Sequence, residues 1–435
     1  MSTSSLPAPV IFLPGIMGST LRDEYPVSAD NVWSVTKAAF KAYDRITLHP
    51  DNLNYELKEP ARVVKDQVFS LFYNEIIEEL RYNLSPNAET PVPVFPFAYD
   101  WRMPLADTEA ALAAFITEVV ERTSLLRHYH AAGYTTATGK VNLVGHSMGG
   151  LIIAGYVKER GLAKVDKVVT LASPFRGSIE SIAKTTLGSS GFSSTSGSSR
   201  EREAARVTPA LYHLLPSYDG AVKPAKRDVY DPANWQRGIK QTLAAFIDQH
   251  SLRLTETDPA KRPAAALSLA EALLDDILTK AWDHREKLEA LVLPDPTRWL
   301  SIVGVGASTR QDVKLTIHPK DGPLFELHDE VNAWKPKSPS ERTGDNTVPY
   351  AGARCAFIPP EQVVCLCPDD FGFWELGGKL LNELGFHSAL PSMNVAIRLT
   401  ISHLLGRPQG DVWGRPSPEI DPKKWAPPIK GLVRK

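Results

Sequence analysis

Residues 142–157, NLVGHSMGGLIIAGYV, place Ser147 between Gly145 and Gly149, after an apolar run and before an apolar helix-like segment. A strand, a Gly-x-Ser-x-Gly turn and a helix make the sequence pattern of a nucleophile elbow, a turn so sharp that only glycine leaves room beside the serine. A serine hydroxyl becomes an effective nucleophile when a histidine takes its proton and an acid orients that histidine. The pentapeptide also fits an ordinary glycine-rich turn, so the rest of the chain has to supply both partners.

The elbow pattern predicts the order serine, acid, histidine, with the acid after a late strand. Asp345 lies in SERTGDNTVPYAG (340–352), within a Gly-Asp-Asn turn suited to holding a carboxylate fixed. His387 lies in ELGFHSALPSMNVAIRL (383–399), on a loop before an apolar helix. His318 and His328 precede Asp345, which is the wrong order, and His403 falls inside the apolar helix, where a packing role is expected. Asp369 and Asp370 are the rival acids. An oxyanion hole needs the backbone N–H after the nucleophile and a second from the loop after an early strand. Met148 supplies the first, and Ile16, in FLPGIMGSTL (12–21), is the natural second.

These residues need a scaffold. PVIFLP (9–14), KVNLV (140–144), VDKVVTLAS (165–173) and RWLSIVGVG (298–306) are short apolar or β-branched runs, as buried parallel strands are. Leu112, Phe115, Ile116, Val119 and Val120 recur at helical spacing between them, and Leu151 to Val157 form an almost wholly apolar helix. Alternating strands and helices predict an α/β fold with a mostly parallel central sheet and helices on both faces. Residues 178–297 break that rhythm. They begin with SSGFSSTSGSSRERE and continue with helical patterns such as Ile239, Leu243, Phe246 and Ile247, which predicts a helical cap or lid. The segment 187–203, poor in apolar side chains, is expected to be a mobile lid. The predicted core is thus 8–177 plus 298–406, interrupted at about 25–88 by an aromatic-rich insertion (Trp33, Phe40, Tyr43, Phe69, Phe72, Tyr73) with no strand rhythm. The proline-rich tail, 407–435, is expected to wrap the surface.

At 435 residues and 43% hydrophobic, the chain is long and apolar enough for such a domain with a cap. Its 49 basic and 50 acidic residues leave a formal charge of −1, which excludes long-range recruitment by nucleic acid or anionic membranes. Contact with a membrane surface would then be local and apolar. The opening MSTSSLPAPVIFLPG has neither a basic n-region nor a long apolar stretch, and no later run approaches a membrane span. A cytoplasmic location is expected, with export by a dedicated machine as the alternative. Cys355, Cys365 and Cys367 are odd in number and at no zinc-ligand spacing, which fits a reducing compartment. No cofactor or metal is expected.

FLPGIMGS, YDWR (99–102), GHSMGG, LASPFRGS (171–178), GDNTVP and a late His387 occur in this order across residues 10–400. Together they resemble the lecithin:cholesterol acyltransferase family, which includes related phospholipases. The resemblance implies an α/β-hydrolase fold, Ser147, Asp345 and His387 as triad, and Ile16 and Met148 as oxyanion donors. It also places YDWR near the active-site cleft, with Trp101 as a candidate lining of the acyl track. A Trp101 packed beside a core strand, with Asp100 and Arg102 paired, is the competing reading. Trp33 is the second candidate for substrate contact, at an interfacial surface of the insertion. The expected function is a serine acyl hydrolase or acyltransferase on lipid esters, most naturally phospholipids. An esterase or amidase for soluble substrates and a non-catalytic binding protein of the same fold are the alternatives.

Overall fold

The four apolar runs become central strands of one eight-stranded sheet in the computed structural model. The structure describes residues 6–34, 37, 43–188, 199–327, 344–372, 375 and 385–435. Labelled in chain order, the sheet strands are β1 (Val10–Leu13), β2 (Val94–Pro96), β3 (Val141–His146), β4 (Val165–Leu171), β5 (Trp299–Gly304), β6 (Val363–Leu366), β7 (Trp413–Pro416) and β8 (Val433–Arg434). They lie in the spatial order β8-β7-β6-β5-β4-β3-β1-β2. From β2 to β6 every pairing is parallel. All six residues of β3 are buried, as a strand covered on both faces requires. The helix Met148–Arg160 that follows is buried from Met148 to Val157, so its apolar sequence has core on nearly every side.

Register places the chemistry at one edge of this sheet. Leu13 pairs with Gly145, His146 with Leu171, and Gly304 with Leu366, so β1, β3, β4, β5 and β6 end together. The chain leaves that edge at Pro14, at Ser147 and, beyond Gly304, beneath the acid loop. A Cβ on Gly304 would sit 2.5 Å from Asp345 Cβ.

The region expected to be a cap carries the helices Ile179–Leu187, Ser199–Arg206, Pro209–Tyr212, Arg237–His250 and Arg262–Glu289. Residues 189–198, most of the segment expected to be a mobile lid, lie outside the described residues. A second apolar cluster joins Ile179, Leu211, Trp235, Leu243 and Leu278. That cluster reaches past residue 297, taking in Val313 and Phe325 from the hairpin Val313–His318 and Gly322–Glu326.

Two expectations are corrected. The insertion at 25–88 does contain strands: Asp30–Trp33 and Val63–Val68 flank Ser19–Asp23, and Leu48–His49 pairs with Asn52–Glu56. Val63–Val68 has no fully buried residue and Asn52–Glu56 only one, so neither carries the apolar alternation that marks a strand in sequence. The tail does not merely wrap the surface, since β7 pairs antiparallel with β6, and β8 pairs parallel with β7. Its proline, Pro416, sits at the last position of β7, where proline is tolerated in a strand near a sheet edge.

Among the described residues, no helix is long and apolar enough to cross a membrane.

Candidate active site

At the end of β3 the backbone turns through Ser147 with φ 52° and ψ −125°, a conformation a non-glycine residue holds only when its surroundings enforce it. The flanking glycines allow the turn by close approach. A Cβ at Gly145 would lie 2.7 Å from Ile153 Cδ1, and one at Gly149 would lie 2.6 Å from the carbonyl oxygen of Leu13. The Ser147 amide donates to the carbonyl of Leu171 at 2.8 Å, which fixes the elbow to β4.

His387 and Asp345 come to this elbow from the far end of the chain. His387 Nδ1 lies 2.8 Å from Asp345 Oδ2, and His387 Nε2 lies 2.9 Å from Ser147 Oγ. A carboxylate only accepts, so Nδ1 carries the hydrogen, Nε2 is left as acceptor, and the serine hydroxyl donates to it. Asp345 Oδ1 accepts from the amides of Thr347 at 3.1 Å and Val348 at 2.7 Å, which leaves Oδ2 for the histidine. The acid loop and the histidine loop are also joined directly. The His387 amide donates to the Asp345 carbonyl at 2.9 Å, and the Phe386 amide to Asn346 Oδ1 at 3.0 Å. Asn346 sits at φ 78°, a conformation asparagine accepts readily. All three side chains are buried, Ser147 at 5% exposure and the other two at 1%.

The oxyanion donors expected from sequence flank the serine. Met148 is the first residue of its helix, so its amide has no acceptor within that helix. No described residue accepts a hydrogen bond from the Ile16 amide. Ile16, Met17, Pro174, Leu211, Leu214 and Val348 line a narrow apolar pocket of about 50 Å³ over Ser147 and His387. Charged groups on its wall are paired. Lys184 pairs with Glu201, which also accepts from the Tyr43 hydroxyl at 3.0 Å, and both carboxylate oxygens of Glu180 accept from Arg310 Nη1, at 2.9 and 3.1 Å.

Neither tryptophan singled out for substrate contact lines this pocket. Trp33 is fully buried rather than on an interfacial surface, and its indole N–H donates to the Met17 carbonyl at 3.2 Å, behind the Ile16 loop. Trp101 is 4% exposed and packs on Trp33 with ring centres 5.1 Å apart. Arg102 of the same motif is a clasp. It binds Asp100 at 2.6 Å and Glu56 at 2.8 Å, and its carbonyl accepts from the Ala210 amide at 3.3 Å. The rival residues are engaged elsewhere: Asp370 with Arg415 and Lys435, and His403 Nε2 with the Arg298 carbonyl at 3.2 Å.

Two buried residues that sequence reasoning did not assign to the site also belong to it. His146, directly before the serine, bridges Tyr73 and the His387 carbonyl. Its position in GHSMGG was the available signal. Tyr73 had none beyond its place in an aromatic-rich stretch. Among the described residues, no group of three or more His, Cys, Asp or Glu side chains is gathered to hold a metal.

The lecithin:cholesterol acyltransferase family profile matches residues 67–354. No curated protein matches the sequence significantly. Among solved structures, the Tle4–Tli4 complex aligns with a TM-score of 0.56 at 15% identity, covering 80% of this chain and 89% of that one. The mature form of the Bacillus licheniformis lipase BlEst2 aligns over 92% of both chains at 12% identity and a TM-score of 0.37. The mainly parallel sheet with helices on both faces, and the elbow at the end of a central strand, are those of an α/β-hydrolase fold.

Proposed function

This chain belongs to the lecithin:cholesterol acyltransferase family, and from that premise we propose that Ser147, His387 and Asp345 are the catalytic triad of an enzyme that cleaves acyl esters of membrane phospholipids. Family membership makes it an enzyme of the lipase and acyltransferase type, acting on lipid esters. The reading of the site rests on one observation above others, the 2.9 Å separation of Ser147 Oγ and His387 Nε2 at a strained elbow. As Oγ attacks the ester carbonyl, its proton passes to Nε2, and the Asp345 carboxylate stabilises the imidazolium and holds the ring in place. The carbonyl oxygen, now an oxyanion, accepts from the Ile16 and Met148 amides. Collapse expels the alcohol, which takes the proton from Nε2 and leaves Ser147 acylated. A second nucleophile then attacks through the same base. Chemistry does not distinguish water from an alcohol here, and no motif for binding an acceptor alcohol is recognisable in the sequence, so water is the default acceptor.

In this reading the eight-stranded sheet and the helices on it act as the core, and the helices between residues 178 and 297, joined by the hairpin Val313–His318 and Gly322–Glu326, act as a cap whose Leu211 and Leu214 line the pocket over Ser147. The test is to incubate purified protein with mixed phospholipid vesicles, with and without a sterol or long-chain alcohol, and to identify products by mass spectrometry. Free fatty acid with lysophospholipid supports the proposal. Dominant acylated alcohol would make transfer the main reaction. Rapid cleavage of short soluble esters with no action on vesicles would overturn the phospholipid assignment.

A further inference from the structure

Between the loop that carries Ile16 and the loop that carries His387 stand two side chains with no part in the proton transfers above. The Gly15 amide donates to Tyr73 Oη at 3.0 Å, Tyr73 Oη lies 2.9 Å from His146 Nδ1, and His146 Nε2 lies 3.0 Å from the His387 carbonyl oxygen. The hydrogens on this chain follow from its ends. A carbonyl only accepts, so Nε2 carries the hydrogen; neutral Nδ1 is then an acceptor, and the tyrosine hydroxyl donates to it while accepting from Gly15. Burial, reinforced by the neighbouring His387, pushes His146 well below its usual range and keeps the ring neutral. Tyr73 and His146 are 4% and 1% exposed. Their rings pack with centres 5.6 Å apart, and the His146 and His387 rings at 4.9 Å. Space around the chain is tight, since a Cβ on Gly15 would meet Ser147 Cβ at 3.0 Å and His146 Nδ1 at 3.3 Å.

We propose that Tyr73 and His146 are positioning residues that hold the oxyanion loop at Gly15–Ile16 and the base loop at His387 in a common register about Ser147. The inference rests on the reading of Ser147 and His387 as nucleophile and base. Each end of the chain grips backbone: the amide next to the Ile16 donor at one end, and the carbonyl of the base itself at the other. Removing the Tyr73 hydroxyl leaves the Gly15 amide without its acceptor and Nδ1 without its donor. The His146 ring is then held at one end only, and its donation to the His387 carbonyl loosens. Because both grips act on groups that meet the substrate most closely in the transition state, the loss falls on kcat more than on KM.

The test uses the full chain with a soluble chromogenic acyl ester, and with an acyl trifluoromethyl ketone, which forms a tetrahedral adduct on a serine. Tyr73→Phe is expected to lower kcat on the order of 10- to 100-fold, to leave KM within about twofold, and to weaken the ketone in parallel with kcat/KM. His146→Gln, which retains an amide N–H for the His387 carbonyl, is expected to recover part of the activity lost in His146→Leu. An unchanged kcat in Tyr73→Phe overturns the proposal, as does a loss confined to KM with ketone affinity unaltered. Should Tyr73→Phe fail to fold, the comparison of His146→Gln with His146→Leu decides, and equal activity of those two overturns the proposal. Full turnover by Ser147→Ala would instead overturn the reading of the site on which the inference stands. An inactive Ser147→Ala beside a normal Tyr73→Phe removes this inference alone.

Discussion

Asp345 holds His387 twice: its carboxylate meets the imidazole Nδ1 at 2.8 Å, and its main-chain carbonyl accepts from the His387 amide at 2.9 Å. Position and tautomer of the ring are therefore separable. Asp345→Asn keeps the backbone bond but replaces an acceptor with a group that can present N–H to Nδ1, which favours the wrong tautomer. A fall in kcat of roughly 10³- to 10⁴-fold is expected, with little change in the thermal midpoint. Steady-state kinetics beside a melting curve check this, and a variant with near-normal kcat would remove Asp345 from the proposed triad.

Ser147 is expected to be the site of covalent modification by a fluorophosphonate, and Ser147→Ala to abolish both labelling and turnover. Peptide mapping of the labelled protein reads the result. Modification of a different serine in folded protein would sink the assignment.

Gly149→Ala tests the elbow rather than the hydroxyl. Its new Cβ would lie 2.6 Å from the Leu13 carbonyl oxygen, so β1 and the loop bearing Ile16 must shift. Loss of about 1–3 kcal/mol of stability is expected, with activity falling further than stability does. Denaturant unfolding and turnover measured on one preparation give both quantities, and unaltered activity would mean that the turn tolerates a side chain.

The contact of Glu109 with His284, 2.6 Å apart between the helices Leu105–Ser124 and Arg262–Glu289, predicts a pH signature. Burial pushes the Glu109 carboxyl up to about 7 from 4.5 and the His284 imidazole down to about 3 from 6.5. Between pH 4.5 and 6.5 the unfolded pair binds one proton and the folded pair shares one across its short contact, so the number bound is equal and this pair adds no slope to stability. Glu109→Gln leaves only the histidine, which is neutral when folded and protonated when unfolded. Stability should then fall as pH drops from 6.5, by up to about 1.4 kcal/mol per unit. Urea midpoints at pH 7, 6 and 5 distinguish the two behaviours, and parallel profiles for wild type and variant would refute the coupling.

Asp370 anchors the last strands instead of serving the site. Its carboxylate accepts from the Cys367 amide at 2.9 Å and pairs with Arg415 and Lys435. Asp370→Ala should cost about 1–3 kcal/mol by leaving the Cys367 amide and the mostly buried Arg415 guanidinium without their acceptor, with kcat unchanged at a temperature where the variant is folded. A selective loss of kcat would return Asp370 to consideration as the acid.

Much of this architecture was legible because its signals are local. The core strands are apolar runs, and the elbow is spelled out by Gly145, Ser147 and Gly149. The order of serine, acid and histidine singled out three residues that do meet in hydrogen-bond contact. What escaped is non-local or only half-buried. Val63–Val68 has no fully buried position, and the two buried positions of β7 are Gly414 and Pro416, which carry no apolar alternation. Tyr73 approaches His146 from 73 residues away and His146 approaches His387 from 241, distances over which no periodicity in the sequence speaks. For Trp33 and Trp101 the sequence leaves substrate contact and packing equally open, because a large aromatic side chain buried behind a loop is chemically indistinguishable in sequence from one facing a ligand.

The pocket over Ser147, about 50 Å³, is small beside sites for drug-sized ligands, which run from roughly 300 Å³ upward. Its roof is formed in part by Leu211 and Leu214. If long acyl chains enter only when that roof lifts, each is taxed by the fraction of molecules that are open. A small reagent escapes that tax. Labelling rates measured with phosphonates of increasing chain length should therefore level off at the point where opening becomes obligatory, and the height of the step is a direct measure of how rarely the roof lifts.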